Sequence, residues 1–194
     1  MKNLKEIARA TAAAVFLGVT FGLVACTAVQ PGQPSAVAPP VGFFSNIKVP
    51  DNVIAVLRLN AKGVQVFRCE RLGGGGFGWI YRLPEANLFD ESGKAVGQHG
   101  ANFSFTHNDG SSLVSTVLGY EDAPKDTDLR WLLLSAKSQG SPGSRSKAGV
   151  FAGVTHVQRV NTHGGMPPAQ CEANQQNQLL RVEFSADFVF YKPR

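Results

Sequence analysis

Three histidines and an aspartate are the side chains of this 194-residue chain best suited to hold a metal ion. His99, His107 and His163 each precede a turn-like stretch that contains glycine, and Asp109 belongs to one of these stretches. Imidazole nitrogens and carboxylate oxygens bind zinc, copper or iron, and an open coordination position would support redox or hydrolytic chemistry. None of the spacings is a known ligand signature. A metal site therefore stands as one hypothesis beside ordinary structural or surface histidines.

Signatures of other catalytic chemistry are weak. The chain has no GxSxG elbow and no SxxK motif for a serine nucleophile. The carboxylates around Pro124 are typical of a solvated loop rather than a glycosidase pair. The run at 73–78 matches GxGxxG, but Trp79-Ile80-Tyr81 follows as a strand where a nucleotide site needs a helix, so it predicts a hairpin loop. We name no catalytic residue and no cofactor.

Binding is the larger hypothesis, because aromatic faces often grip glycans and partner proteins. The chain contains 13 phenylalanines, most of which must be core. Arg159 lies in the polar stretch 158–162. The polar side chains of this stretch either recognise a ligand or simply lie on a solvent-facing strand, and we favour the second interpretation. The candidate ligand-binding residues are Trp79, Tyr81, His99, Phe103, Asp109 and Arg159.

The N-terminus resembles a lipoprotein signal. Basic residues precede an apolar run that ends in Leu23-Val24-Ala25-Cys26, a lipobox. It predicts cleavage before Cys26, attachment of a diacylglycerol to the Cys26 thiol and addition of a third acyl chain to the new amine. The alternatives are ordinary cleavage after Ala28 and, less favoured, a transmembrane helix, for which the run is short. Thr27 follows the cysteine where Asp would retain a lipoprotein at the inner membrane, so we expect the outer membrane, facing the periplasm.

The two remaining cysteines, Cys69 and Cys171, form an even pair in an oxidising compartment, which predicts a disulfide. Free thiols that bind a metal are the rival interpretation, but neither cysteine has a CxxC companion. The formal net charge is +5, of which three positive charges and one negative charge lie in residues 1–25. A mildly basic exported domain does not meet nucleic acid, so we expect no nucleic-acid partner.

The rest of the chain predicts a tether and one all-β domain. Four prolines between 31 and 40 indicate an extended tether over 26–49, which leaves 50–194 as the domain. A hairpin turn is expected at Asn60-Ala61-Lys62-Gly63, and about nine short strands separated by turn residues favour an antiparallel β-sandwich or barrel. The predicted strands are 53–59, 63–68, 78–82, 87–89, 101–106, 113–120, 129–135, 150–160 and 181–191.

Many short landmarks in order carry a family resemblance. They include 63–69, Trp79, 84–86, 97–99, 109–111, 131–134, 149–151, 158–160, 164–165, 167–168, Cys171 and 186–191. Together they resemble domain of unknown function family 3455 over about 50–191. The resemblance implies a secreted β-rich domain and carries over no catalytic residue.

From these observations we expect an envelope lipoprotein that acts as a non-catalytic binding or interaction module. Its partners would be the membrane, through the lipid anchor, and an envelope glycan or envelope protein. The alternatives are a metal-dependent enzyme or metal-handling protein that uses the loop histidines, and a structural lipoprotein of an envelope complex.

Overall fold

The computed structural model describes residues 41–42, 45–139 and 149–194. The predicted signal peptide, Cys26 and most of the tether lie outside these residues. None of the described residues belongs to a helix long and apolar enough to cross a membrane. The segment Gln33–Arg194 forms one compact unit.

Within the described residues, eight antiparallel strands form a closed barrel, in which each strand pairs with the next along the chain and the last pairs with the first. The strands are β1 (Val53–Arg71), β2 (Phe77–Phe89), β3 (Ala95–Gly100), β4 (Ser104–His107), β5 (Ser112–Glu121), β6 (Trp131–Gln139), β7 (His156–Gly164) and β8 (Leu179–Pro193). The all-β, antiparallel and barrel-like prediction is therefore confirmed, and closure protects the edges that an open sheet would expose.

The predicted hairpin at 60–63 is wrong. These residues lie inside β1, where Asn60 pairs with Phe89 on one side and Asp187 on the other. Pairing on both edges satisfies more of the backbone hydrogen-bonding groups of these residues than a turn would. Gly63 serves close packing rather than a turn, because a Cβ there would overlap the backbone of Glu85 and Ala86 in β2.

Other strand boundaries also differ from the prediction. Strands 78–82 and 87–89 are one strand, β2, and Pro84 is tolerated in it because pairing with β3 begins only at Ala86. Residues 150–153 form turns, so β7 begins at His156 rather than 150. A short 3-10 turn, Ala101–Phe103, replaces the start of the predicted strand 101–106.

Two apolar clusters flank the sheet. The larger fills the barrel and includes Phe105, Phe188 and Phe190. The smaller lies on the outer face of β6 to β8, where Ile47 from the N-terminal segment is fully buried. Buried Gln158 joins this cover to the sheet, because its Nε2 donates to the Ile47 carbonyl at 2.6 Å. These three strands are therefore buried on both faces.

The predicted disulfide is confirmed. Cys69, near the end of β1, is bonded to Cys171 in the connection between β7 and β8. Two backbone hydrogen bonds reinforce the link: Cys69 N–H donates to Gln178 O at 3.0 Å, and Asn177 N–H donates to Cys69 O at 2.9 Å. The polar excursion around Cys171 is thereby fastened to the barrel.

Candidate functional site

A pocket of about 540 Å³ opens at one end of the barrel. In an up-and-down barrel the connections β1–β2, β3–β4, β5–β6 and β7–β8 all lie at the same end. Most of the lining residues come from the parts of the strands and connections nearest that end, whereas Arg159 lies in the middle of β7. They are Gln65, Phe67, Trp79, Tyr81, Phe103, Val117, Tyr120, Leu129, Arg130, Leu132, Arg159, Met166 and Pro167. We call this the barrel-end pocket.

Aromatic side chains form one wall of the barrel-end pocket. Phe67 on β1 and Tyr81 on β2 are cross-strand partners, and their rings meet edge to face at 6.0 Å between centroids. Trp79 lies two residues before Tyr81, and Phe103 belongs to the short turn between β3 and β4. Phe103 has φ of 47°, in the left-handed region that bulky residues rarely adopt. Such strain tends to concentrate at functional sites.

Arg159 places a positive charge inside this largely apolar pocket. On β7 it pairs with Leu132 and Phe188, whose side chains belong to the barrel core, and it is only 7% exposed. Burial lowers the pKa of its guanidinium to about 10. The expectation that stretch 158–162 decorates a solvent-facing strand is wrong, because Gln158, Arg159 and Thr162 are all buried.

The hydrogen bonds of Arg159 leave its charge uncompensated. Its Nε and Nη2 donate to the Arg130 carbonyl at 3.1 and 2.9 Å. None of the ion pairs found within the described ranges includes Arg159. Buried charges are normally paired, because transfer from water without a partner is costly.

Gln65 lines the pocket but is not among the six candidate ligand-binding residues. It is 2% exposed, and its Nε2 has no hydrogen-bond partner among the described residues. The sequence pattern that could have identified Gln65 is the alternation of β1, which places it on the same face as Phe67. A polar side chain among apolar residues on an inward face is the pattern to look for.

Tyr81 adds a third polar group. Tyr81 is partly exposed at the rim, and its partial burial raises the pKa of its phenol to about 12, although the nearby Arg159 guanidinium opposes this. The phenol is therefore neutral at physiological pH and can donate a hydrogen bond. Guanidinium, amide and phenol thus give the barrel-end pocket three kinds of donor within an apolar surround.

The rim of the pocket exposes apolar surface. Of the nine large hydrophobic side chains that are exposed in the described residues, four line this pocket: Tyr81, Val117, Tyr120 and Met166. Arg130 lies over the Tyr120 ring at 4.7 Å and pairs with Asp122 at 2.9 Å. Clustering of exposed apolar residues at a concave site is typical of ligand-binding surfaces.

The structure brings four of the six candidate ligand-binding residues together, namely Trp79, Tyr81, Phe103 and Arg159. His99 lies deeper, in the barrel core. It is 2% exposed, and its ring stacks on Phe105 at 4.3 Å and tilts against Phe188 at 4.9 Å between centroids. Nδ1 hydrogen-bonds to the Ser104 carbonyl at 3.0 Å, whereas Nε2 has no partner within the described part of the chain.

Asp109 lies at the opposite end of the barrel, in the turn between β4 and β5. Its carboxylate accepts hydrogen bonds from Ser111 N–H at 2.9 Å, Ser111 Oγ at 2.6 Å and Val150 N–H at 2.8 Å. Burial acts to raise the pKa of Asp109, but these hydrogen bonds outweigh it and hold the pKa well below its ordinary range. The arrangement fastens one loop to another and leaves the carboxylate largely occupied.

The four residues of the metal hypothesis are not brought together. His107 Nδ1 lies 3.1 Å from Asp109 Oδ1 at one end of the barrel, whereas His163 is exposed near the end of β7 and His99 is enclosed by phenylalanines. Alternating strand direction separates them, because the turns after β4 and β7 lie at opposite ends. In the residues described, no group of three or more His, Cys, Asp or Glu side chains is placed to hold a metal ion.

Comparison with known proteins identifies a family but no activity. No curated protein matches this chain, and no solved structure matches it. One family model, described as a protein of unknown function (DUF3455), matches residues 50–192, which include nearly the whole barrel and every lining residue of the barrel-end pocket. The chain therefore belongs to the DUF3455 family of proteins of unknown function.

Proposed function

We propose that this protein is a lipid-anchored envelope lipoprotein whose barrel is a non-catalytic module that binds a small, mainly apolar ligand in the barrel-end pocket. The lipobox that ends at Cys26 supports the anchor and a periplasmic position. The pocket supports the binding role. The observation that carries the proposal is the convergence of aromatic rings, exposed apolar rim residues and a buried guanidinium on one concave site.

The size and chemistry of the pocket favour a small molecule. Ligand pockets usually enclose about 300–1,000 Å³, are mostly apolar and contain a few fixed polar groups. The barrel-end pocket has about 540 Å³, and Phe67, Trp79 and Tyr81 of its aromatic wall lie on two neighbouring, hydrogen-bonded strands of the closed sheet. Such preformed sites bind without the cost of ordering loops.

A neutral fluorescent probe tests this proposal. 1-N-phenylnaphthylamine brightens in apolar sites and carries no charge. We would add it to exported, oxidised residues 33–194, the compact unit that contains the complete barrel and the disulfide. The proposal predicts saturable binding at one site per chain. Absence of saturable binding would contradict it.

Two neighbouring residues provide a matched pair of variants. Val117 lines the pocket and Leu118 does not, although both are exposed on β5. Val117→Trp should fill the mouth and weaken probe binding by about tenfold or more, since tenfold corresponds to only about 1.4 kcal/mol. Leu118→Trp should bind as the wild type does. Equal binding by both variants would place the probe elsewhere.

The anchor needs its own test. Cys26→Ala removes the thiol that lipidation requires, so this variant should lose acyl chains that mass spectrometry detects on the wild-type protein. Its membrane association should fall with them. Wild-type protein without acyl chains, cleaved after Ala28, would overturn the lipoprotein assignment and leave the binding proposal standing.

A further inference from the structure

We infer that the ligand of the barrel-end pocket is an amphiphile with a single carboxylate head group, which Arg159 binds inside the barrel. This inference rests on the binding function proposed above and specifies its ligand class. Two independent features of the pocket support it: an unpaired buried cation and an unpartnered buried amide.

The first feature is the position of the charge. Arg159 is the only buried cation among the described residues, and its two hydrogen bonds go to one neutral carbonyl. Asp128, the other buried charged side chain, accepts the Gly164 N–H at 2.7 Å rather than pairing with Arg159. A guanidinium in this setting lacks an anion, and a bound carboxylate would supply one.

The second feature is Gln65. Its buried Nε2 donor lines the same pocket and has no acceptor within the described ranges. An unsatisfied buried donor is rare, and water or a ligand usually satisfies such a group. The oxygens of a carboxylate accept several hydrogen bonds at once, so one head group offers acceptors to both the guanidinium and the amide that line this pocket.

The remaining surface defines the rest of the ligand. Trp79, Phe103 and Leu132 present rings and methyl groups beside the charge. A purely hydrophilic anion would leave this surface in contact with water, whereas an apolar tail covers it. A phosphate monoester carries nearly two negative charges at neutral pH, which one guanidinium does not neutralise. The pocket therefore fits a carboxylate attached to an aromatic or aliphatic body.

A set of compounds with a phenyl ring, similar chain lengths and different head groups tests the inference. The compounds are 4-phenylbutyrate, the neutral 4-phenylbutyramide, the cationic 4-phenylbutylamine and 2-phenylethyl phosphate. Calorimetry on oxidised residues 33–194 should show the carboxylate binding about tenfold or more tightly than the amide, as expected for a charge-assisted hydrogen bond. The amine and the phosphate should bind more weakly than the carboxylate.

Variants assign the preference to its residues. Arg159→Met should abolish the preference for carboxylate over amide while binding of neutral 1-N-phenylnaphthylamine persists. Gln65→Met should weaken carboxylate binding by a smaller factor. Arg82→Met is the matched control: this arginine follows Tyr81 on β2 but does not line the pocket, and it is exposed and already paired with Glu70, so its loss should change affinity by less than about threefold.

The outcomes separate the inference from the proposed function. Equal affinity for carboxylate and amide, or a preference that survives Arg159→Met, would overturn the inference while probe binding still supports the pocket. Tighter binding of the phosphate would overturn the carboxylate assignment. If Arg159→Met fails to bind the neutral probe, Arg159→Lys replaces it as the variant. It keeps the charge but loses the planar fork, so it should retain a weakened carboxylate preference, and an undiminished one would contradict the assigned geometry.

Discussion

Acid should destabilise this barrel through His99, because the folded protein keeps that imidazole neutral. Burial lowers the pKa of His99 from 6.5 to about 4. The hydrogen bond to the Ser104 carbonyl opposes this, and the Arg159 charge adds to it. The other groups that face the ring are Phe103, Phe105 and Phe188, which do not titrate.

The size of the effect follows from proton linkage. In the unfolded chain the imidazole regains its ordinary pKa, so between pH 6.5 and about 4 the unfolded state binds a proton that the folded state does not. The stabilisation is present in full above pH 6.5 and is lost as pH falls toward 4. Acidification from pH 7.5 to pH 4.5 should therefore cost roughly 2 to 3 kcal/mol through this residue alone.

Urea unfolding at the two pH values measures the loss. His99→Gln removes the titrating ring, so its free energy of unfolding should fall less on acidification than that of the wild type, by roughly 2 to 3 kcal/mol. His163→Gln is the matched control, because His163 is exposed, and it should follow the wild type. Equal acid sensitivity of His99→Gln and the wild type would refute the reasoning.

Three further changes have expected outcomes in thermal or urea unfolding. Gly63→Ala should lower the free energy of unfolding by about 1 to 3 kcal/mol, because its Cβ overlaps the backbone of β2. Gly73→Ala has open space around its Cβ and should lower the free energy of unfolding much less; equal losses would contradict the packing argument. Replacing Cys69 and Cys171 together with alanine should cost about 2 to 4 kcal/mol, since the bond closes a long loop with a sequence separation of 102, and an unchanged stability would show that it adds nothing. Asp109→Ala should cost about 1 to 2 kcal/mol by removing the acceptor that joins two loops, and a neutral result would mean that water replaces it.

Most strands were predictable because turn residues separate them along the chain. Glu91-Ser92-Gly93 and Asn108-Asp109-Gly110 both lie at turns between strands, and the Gly73–Gly76 run connects β1 and β2. The strand at 60–63 was not predictable, because turn chemistry indicated a hairpin there. These residues pair on both edges, and the pairing with β8 joins positions more than 120 residues apart in the chain.

The pocket was predictable in its residue types but not in its place. Trp79, Tyr81 and Phe103 were selected as aromatic faces, and the closed barrel brings them together with Arg159. The burial of Arg159 could not be predicted, because the same alternation of polar and apolar residues describes a solvent-facing strand. The separation of His107 from His163 likewise depends on strand direction, which residue spacing does not specify.

The most direct test of the barrel-end pocket uses the two tryptophans of the chain as internal reporters. Trp79 lines the pocket, whereas Trp131 packs against the apolar cluster on the outer face of the sheet. Each indole N–H gives its own NMR signal in oxidised residues 33–194, and 1-N-phenylnaphthylamine is the titrant. Binding in the pocket predicts a saturable shift of the Trp79 signal with the Trp131 signal unchanged. A shift of Trp131 alone, or of neither, would contradict the account.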